Sequence, residues 1–533
     1  MSGIAAAFVR PLSSSPVTVY ERLKHMIPRL AGRGQAGISV AAFMRKQGMA
    51  YGEARWSSSE SVRIEHNEQN PRFQPHVAIA HIRCGCGELS NGGDVLPIVS
   101  KATAGRRLAL ALDGAMVNAR AIRDEYLTQE QRESVKTDAE LLVKCIEHCC
   151  ERDFWRHGLA VNYESVFREI DDRIDGAISA VLLDANGNLV AFRNRSGLRP
   201  LENMQTDDGL LLFASENCAF ADLEGKTRQI LPGHIKYVDG TTGRSVDQSV
   251  TDKRHKAGLC SYEVIYLGNP NTVIGGQSLF RTRYNIGVGV GGLVARRLQA
   301  EAESTRTIVT SMPHTGGPYA DGLHAALREH GLPVERREIV KTAFLQRTLL
   351  CTPGARKSRI AQKYCVHDTD LANTSIVVVD EALIRGDTSQ AVTSMLLAAG
   401  AKAVHWAIGS PPIVAPNYYG MRIESLDELA FWQSWERLPS EPRAQSLRFH
   451  KMPLAALKCI ESNIAASVGA ATITYLPFSL LRPLLPPGAE SFDLSPFTFE
   501  MPTAAGQRRA DRNLRRLLGD QFHARSIDGE VRS

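Results

Sequence analysis

The stretch from Thr374 to Ser389 reads Thr-Ser-Ile-Val-Val-Val-Asp-Glu-Ala-Leu-Ile-Arg-Gly-Asp-Thr-Ser, an apolar β-branched run that empties into two acids, a glycine turn and hydroxyl residues. Ile376 to Val379 is too short and too β-branched to favour helix, whereas Gln390 to Leu397 has helical composition and Gly400 supplies a stop. Strand, loop and helix therefore follow one another, and the turn points at a helix N-terminus. There, backbone N–H groups together with Gly386, Asp387, Thr388 and Ser389 can surround a phosphate, while Asp380 and Glu381 can take sugar hydroxyls or a cation. A ribose phosphate fits that arrangement. The same residues also suit an ordinary buried strand followed by a solvated acidic loop, and the motif alone is only moderately specific.

Such a loop needs a sheet to hold it. From Gly258 to about Leu481 the pattern is strand then helix, repeatedly, which calls for a parallel sheet covered on both faces. Arg306 to Thr310 leads into Pro313-His314-Thr315-Gly316, and Ala403 to Ile408 leads into Gly409-Ser410-Pro411. Both are loops at the C-terminal ends of strands, the edge where open α/β sheets bind ligands.

The first half reads differently. Val77 to His81, Leu108 to Leu112 and Ala177 to Leu183 are short β-like runs between helices, and Asn186-Gly187 makes a hairpin turn into Leu189 to Phe192. This is sheet-rich α+β material. A chain of 533 residues, 43% hydrophobic, can bury large cores and should hold at least two domains. We divide it into residues 1–250, 258–482 and a linker with a basic C-terminal extension, 483–533. In that extension Leu484 to Gly488 is proline-rich, and Arg508, Arg509, Arg512, Arg515 and Arg516 fall partly on one helical face. A surface helix or subunit contact is the preferred reading.

A net charge of +6 with dispersed basic residues makes no case for nucleic acid. No apolar stretch approaches a membrane span, and no basic segment precedes an apolar one at the start, so a cytoplasmic location is expected. The ten cysteines are no disulfide framework, and Cys84-Gly-Cys86 and Cys149-Cys150 have no second pair at zinc-finger spacing.

Val377 to Ser389 resembles the phosphoribosyl diphosphate (PRPP) loop of the amidophosphoribosyltransferases, with Glu381 in place of a second Asp and Asp387 adding charge. The likeness continues through Glu263-Val-Ile-Tyr266, Arg281-Thr-Arg283, Ser410-Pro-Pro-Ile413 and Tyr419-Gly420. It implies a type I phosphoribosyltransferase domain. In it His314, Thr315 and Gly316 would meet the diphosphate, and Arg347, Arg356 and Lys363 would lie on or beside a closing segment. Asp380, Glu381, Arg385, Gly386, Asp387, Thr388 and Ser389 would hold PRPP, with Mg²⁺ at Asp380 and Glu381. The acceptor would be ammonia or another small amine, and a homo-oligomer is expected. Some family members carry an iron–sulfur cluster, but Asn417 replaces one ligand and no Cys-x-x-Cys occurs near the C-terminus, so no cluster is expected.

In the first half, Ser2-Gly-Ile4, Arg33-Gly-Gln-Ala-Gly-Ile38, His81-Ile-Arg83, Asp113-Gly114, Thr137-Asp-Ala-Glu-Leu-Leu142 and Arg195 to Leu201 fall in the order of a class II glutamine amidotransferase domain, an N-terminal nucleophile (Ntn) sandwich. The resemblance implies a nucleophile at position 2, cysteine in the family and Ser2 here, freed by removal of Met1. It also implies an oxyanion hole from an Asn side chain and the next N–H, here Asp113 and Gly114. An ionised Asp113 would repel the oxyanion; losing one donor alone typically costs about 100- to 1000-fold. A glutaminase-inactive half is therefore expected. Arg83 and Asp138 match the residues that grip the substrate's carboxylate and amino group, but pairing of Arg83 with a nearby acid and helix capping by Asp138 are slightly favoured. The alternatives to phosphoribosyl transfer are an N-terminal-serine amidase acting through Ser2 and a non-catalytic PRPP-binding regulator.

Overall fold

The computed structural model describes residues 2–11, 13, 17–34, 37–44, 48–56, 62–64, 75–83, 97–100, 106–252, 258–300, 306–342, 363–367, 370–421, 423–487 and 491–519. In the first half two antiparallel sheets lie face to face. One runs, in spatial order, through Gly225–Gln229, Glu202–Thr206, Leu210–Ala214, Ser2–Val9, Val77–Arg83, Gly37–Met44, Gly48–Trp56 and Val62–Ile64. The other contains Ser245–Ser249, His234–Val238, Leu189–Arg193, Gly176–Asp184, Leu108–Met116 and Ile98–Val99.

The period-2 alternation of side chains decides the layers. Along Ser2–Val9, Ile4, Ala6 and Phe8 face the second sheet, meeting Ala109, Ala111, Val181 and Leu183. Ala5 and Ala7 face the helix Val19–Arg29. Along Leu108–Met116, Leu108, Leu110 and Leu112 turn outward beneath the helices Asp138–Asp153 and Tyr163–Arg173. The result is helix, sheet, sheet, helix, as expected of an Ntn sandwich. The Asn186-Gly187 turn forms as read, Gly187 taking φ +79°.

The second half holds a five-stranded sheet in the order Val334–Arg336, Arg306–Ser311, Thr374–Asp380, Ala403–Ile408 and Thr472–Tyr475, parallel throughout. Thr374–Asp380 is central and buried from Thr374 to Val379, which is why it reads as an unbroken β-branched run. Its C-terminal end delivers Asp380 to the same edge as Ser311 and Ile408. Among the described residues, no helix is long and apolar enough to cross a membrane.

Residues 491–519 are bound to the body more tightly than a linker would be. Ser491–Asp493 pairs in parallel with Gly258–Cys260. The helix Ala504–Leu518 buries Ala510, Leu514 and Leu518 against the second-half core while leaving Arg508, Arg512, Arg515 and Arg516 exposed. Its first turn also touches the N-terminal half, the Ala505 N–H donating to Asp175 Oδ2 at 2.9 Å.

Candidate functional site

At one end of the sandwich, strand register brings Ser2 beside Arg83. The sheet-to-sheet stacking sets Asp113 against the start of the same strand. The Ser2 N–H donates to Asp113 Oδ1 at 2.9 Å, and Arg33 Nη1 donates to Asp113 Oδ2 at 2.9 Å. Asp113 is fully buried, with one carboxylate oxygen held by Ser2 and the other by Arg33. Gly114 follows at φ +134°, where an added Cβ would lie 1.8 Å from the Ala177 carbonyl oxygen, so only glycine fits.

Arg33 was quoted in the sequence only as part of a motif; its role appears in three dimensions. Its Nε donates to Glu216 Oε1 at 2.6 Å and its Nη2 to Glu263 Oε2. The other Glu263 oxygen accepts from Arg199 Nη1 at 2.7 Å, and Arg199 Nη2 donates to the Tyr419 carbonyl at 2.6 Å. Glu216 Oε2 is held in turn by the Asn269 N–H at 2.7 Å and the Thr272 hydroxyl. All five ionic side chains are buried, and they join residues of both halves. Burial works against the Arg33 charge, but Glu263, Glu216 and Asp113 outweigh it and leave its pKa raised. Burial likewise favours neutral Asp113, yet Arg199 and Arg33 reverse this and hold it below the usual carboxylate range.

The neighbouring pair is placed as follows. Arg83 ends its strand between Ser2 and Gly37 of the two neighbouring strands. The helix Asp138–Asp153 is capped by Thr137 with Glu140, whereas Asp138 accepts the Met116 N–H at 2.9 Å, three residues beyond Asp113 on its strand. Burial raises the Asp138 pKa, with Met116 opposing.

At the parallel sheet's edge, Asp380 Oδ1 accepts the Glu381 N–H at 3.0 Å. Burial, then the adjacent Glu381, pushes Asp380 well above the usual carboxylate range, with Lys363 opposing. Glu381 is buried, and its Oε2 has no hydrogen-bond partner among the described residues. Two crowded carboxylates with a vacant buried oxygen form a donor set suited to a divalent cation or to sugar hydroxyls. Gly386 takes φ +91° and caps the helix Asp387–Ala398, so Asp387, Thr388 and Ser389 form its first turn instead of preceding it. Their N–H groups are the orphan donors of a helix start.

The neighbouring loop comes to the same edge. The Met312 N–H donates to the Val379 carbonyl at 2.8 Å, and at Gly316 an added Cβ would stand 2.6 Å from the Met312 carbonyl oxygen. Between them His314 is exposed and sits at φ +80°, an uncommon backbone state for a non-glycine residue. Thr315 is half-buried beside it. Lys363 is buried, its Nζ 5.0 Å from the centre of the Tyr364 ring. Arg385 engages Glu428 through its Nε and Nη2, at 2.6 Å and 2.5 Å. Arg347 and Arg356 lie outside the described residues.

One short segment connects the two regions. Glu263–Leu267 is a wide helical turn whose Ile265 carbonyl accepts from the Tyr319 hydroxyl at 2.9 Å, while Arg283 Nε donates to the Val264 carbonyl at 2.9 Å. Tyr319 stands on the helix that follows His314 to Gly316, and Glu263 is the acid shared by Arg33 and Arg199. Asn417 Oδ1 accepts the Tyr419 N–H at 3.0 Å, fixing a turn through an oxygen that a cysteine would lack.

Residues 90–222 match a glutamine amidotransferase domain family. An amidophosphoribosyltransferase of Pyrococcus horikoshii is 30% identical over 382 residues, 71% of this chain and 78% of that protein. One of Archaeoglobus fulgidus is 26% identical over 427 residues, 78% of this chain and 86% of that protein. The structure of the Bacillus subtilis glutamine PRPP amidotransferase complexed with ADP and GMP superposes with a TM-score of 0.68 at 20% identity, covering 95% of this chain and 98% of that one. With an Ntn-type half joined to a phosphoribosyltransferase-type half and matches along most of its length, the chain belongs to the amidophosphoribosyltransferase family, whose members are phosphoribosyltransferases.

Proposed function

We propose that this chain transfers the phosphoribosyl group of PRPP to ammonia or another small amine with release of diphosphate, in a specialised role, and that its amidotransferase half does not hydrolyse glutamine. The observation that carries the first part is the vacant, buried Glu381 Oε2 beside Asp380, directly ahead of the Gly386–Ser389 helix start. Asp380 and Glu381 would hold the ribose hydroxyls and a Mg²⁺ ion, which would neutralise charge on the departing diphosphate. Thr388, Ser389 and the first-turn N–H groups receive the 5′-phosphate; Thr315, Gly316 and Lys363 face the diphosphate. The bond from the anomeric carbon to diphosphate breaks with its electron pair, the amine lone pair forms the new bond, and an N–H proton passes to solvent. Alignment of amine and carbon supplies most of what the chemistry needs.

The second part rests on Asp113, a carboxylate already bonded to Ser2 and Arg33, standing at the position where the family resemblance implies the oxyanion-hole donor. We assign residues 1–250 to the amidotransferase-like unit, 258–482 to the transferase and 483–533 to a C-terminal extension, and we expect a homo-oligomer without an iron–sulfur cluster. Steady-state diphosphate release from PRPP and Mg²⁺ with ammonium, glutamine or no acceptor tests the reading. Turnover with ammonium and none with glutamine is expected. PRPP binding without turnover would favour a regulatory protein, the reading to which exposed His314 and the acidic Asp387 lend support.

A further inference from the structure

The loop between Asp380 and the helix Asp387–Ala398 does not set its own path. The Ile384 carbonyl accepts the Ala430 N–H at 2.9 Å, and the next residue, Arg385, gives its Nε and Nη2 to a single oxygen of Glu428 at 2.6 Å and 2.5 Å. The Arg385 side chain is 8% exposed and that of Glu428 28%, so this pair is screened less than one on the open surface. Gly386 then turns to φ +91° and opens the helix. Two successive loop residues are thus fixed by one segment, 428–430, just ahead of the first-turn N–H groups. That segment is itself held: Leu426 and Leu429 are buried, the Leu429 N–H donates to the Leu426 carbonyl at 2.9 Å, and the Asp427 N–H to the Ser425 hydroxyl at 3.3 Å. On its far side the C-terminal helix Ala504–Leu518 grips it. Asn513 Nδ2 donates to the Glu424 carbonyl at 3.1 Å and to the Tyr418 hydroxyl at 2.7 Å. The Arg509 guanidinium lies 4.2 Å from the centre of the Tyr418 ring and reaches Glu424 Oε2 at 3.1 Å. The Arg516–Asp427 contact, 3.7 Å between two exposed groups, adds little.

We propose that Glu428 is a positioning residue for the phosphate loop: it braces Arg385 so that Gly386 and the first-turn N–H groups are aimed before any phosphate arrives, and the C-terminal helix supports that brace through Glu424. A guanidinium whose Nε–Nη2 edge is already closed by a carboxylate is locally neutralised, and it acts on the loop's shape and not as a phosphate ligand. Donors fixed in advance need less ordering on binding, a gain shared by the bound substrate and the transition state. The effect on turnover rests on PRPP being the substrate of this site; the brace itself does not.

In the full-length protein, Glu428→Gln should raise KM for PRPP at least about tenfold and leave kcat within about threefold, because binding common to ground and transition states is what is lost. Arg385→Gln and the double replacement should raise KM by about the same factor, since two residues acting as one brace are not additive. A phosphate-binding Arg385 predicts instead an unchanged or lower KM in Glu428→Gln, where the guanidinium is set free, and that result overturns the proposal. Hydrogen–deuterium exchange of the ligand-free protein gives a second reading. Peptides covering 383–390 should exchange at least about tenfold faster in Glu428→Gln and in the double variant, which leaves no charge unpaired and serves if the single replacement does not fold. Unchanged exchange overturns the brace, and it does so even if the parent turns over no PRPP, the result that would defeat the functional reading instead. Asn513→Ala should move KM and exchange in the same direction by a smaller factor; no change in either refutes the helix's part in the brace.

Discussion

Replacing Arg33 with methionine keeps most of the side chain's length and removes its charge. In the structure that guanidinium touches three acids, at 2.9 Å to Asp113, 2.6 Å to Glu216 and in close contact with Glu263, with its own side chain 2% exposed. Removing one partner of a buried ion pair typically costs about 3–5 kcal/mol because the survivor stays buried and unpaired. Here three carboxylates are affected, although Glu263 keeps Arg199, and Glu216 keeps Asn269 and Thr272. The upper part of that range is therefore expected, a fall in melting temperature of about 10–20 °C at pH 7.5 by the scaling for domains of this size. The pH dependence supplies a second check. In the parent, Asp113 has a depressed pKa, so its contribution is present above the unfolded value near 4 and is lost as pH falls through the lower folded value. In the variant the same acids gain from protonation, so the gap between the two proteins should narrow on acidification from pH 7.5 to 5. Differential scanning calorimetry across that range measures both. A variant that melts within about 2 °C of the parent at pH 7.5 would refute the reasoning, because a cluster that tolerates loss of its central cation is not holding the halves together.

Asp380→Asn should abolish diphosphate release from PRPP while leaving the melting temperature within a few degrees, since the amide keeps the side chain's shape and an oxygen to accept the Glu381 N–H but cannot carry the negative charge a cation needs; unchanged turnover would remove the PRPP site from this loop. Gly114→Ala should destabilise by more than about 3 kcal/mol, combining positive φ with a 1.8 Å overlap on the Ala177 carbonyl, read as loss of soluble protein or a large drop in melting temperature. For glutamine hydrolysis, glutamate release should be negligible in the parent, scarcely improved in Ser2→Cys and appreciably greater in Ser2→Cys with Asp113→Asn, because nucleophile and oxyanion hole act as a unit. Robust release from the parent would mean that Ser2 is a working nucleophile.

The sequence by itself determined the architecture. The short apolar runs Leu108 to Leu112 and Ala177 to Leu183 read as strands, and the unbroken β-branched run of Ile376 to Val379 read as a strand of a parallel sheet covered on both faces. It also placed Asp380, Glu381 and the helix start on one loop, since neighbours in sequence stay neighbours in space. Tertiary structure alone decided the partners of Asp113, Arg385 and Asp138. Arg33 reaches Asp113 across 80 residues and Glu263 across 230, and Arg385 turns to Glu428 across 43. No local pattern records such partners. A carboxylate that reads as a defect in an oxyanion hole becomes, once the two sheets stack and the second half closes over them, the acid that ties the first strand to a buried guanidinium.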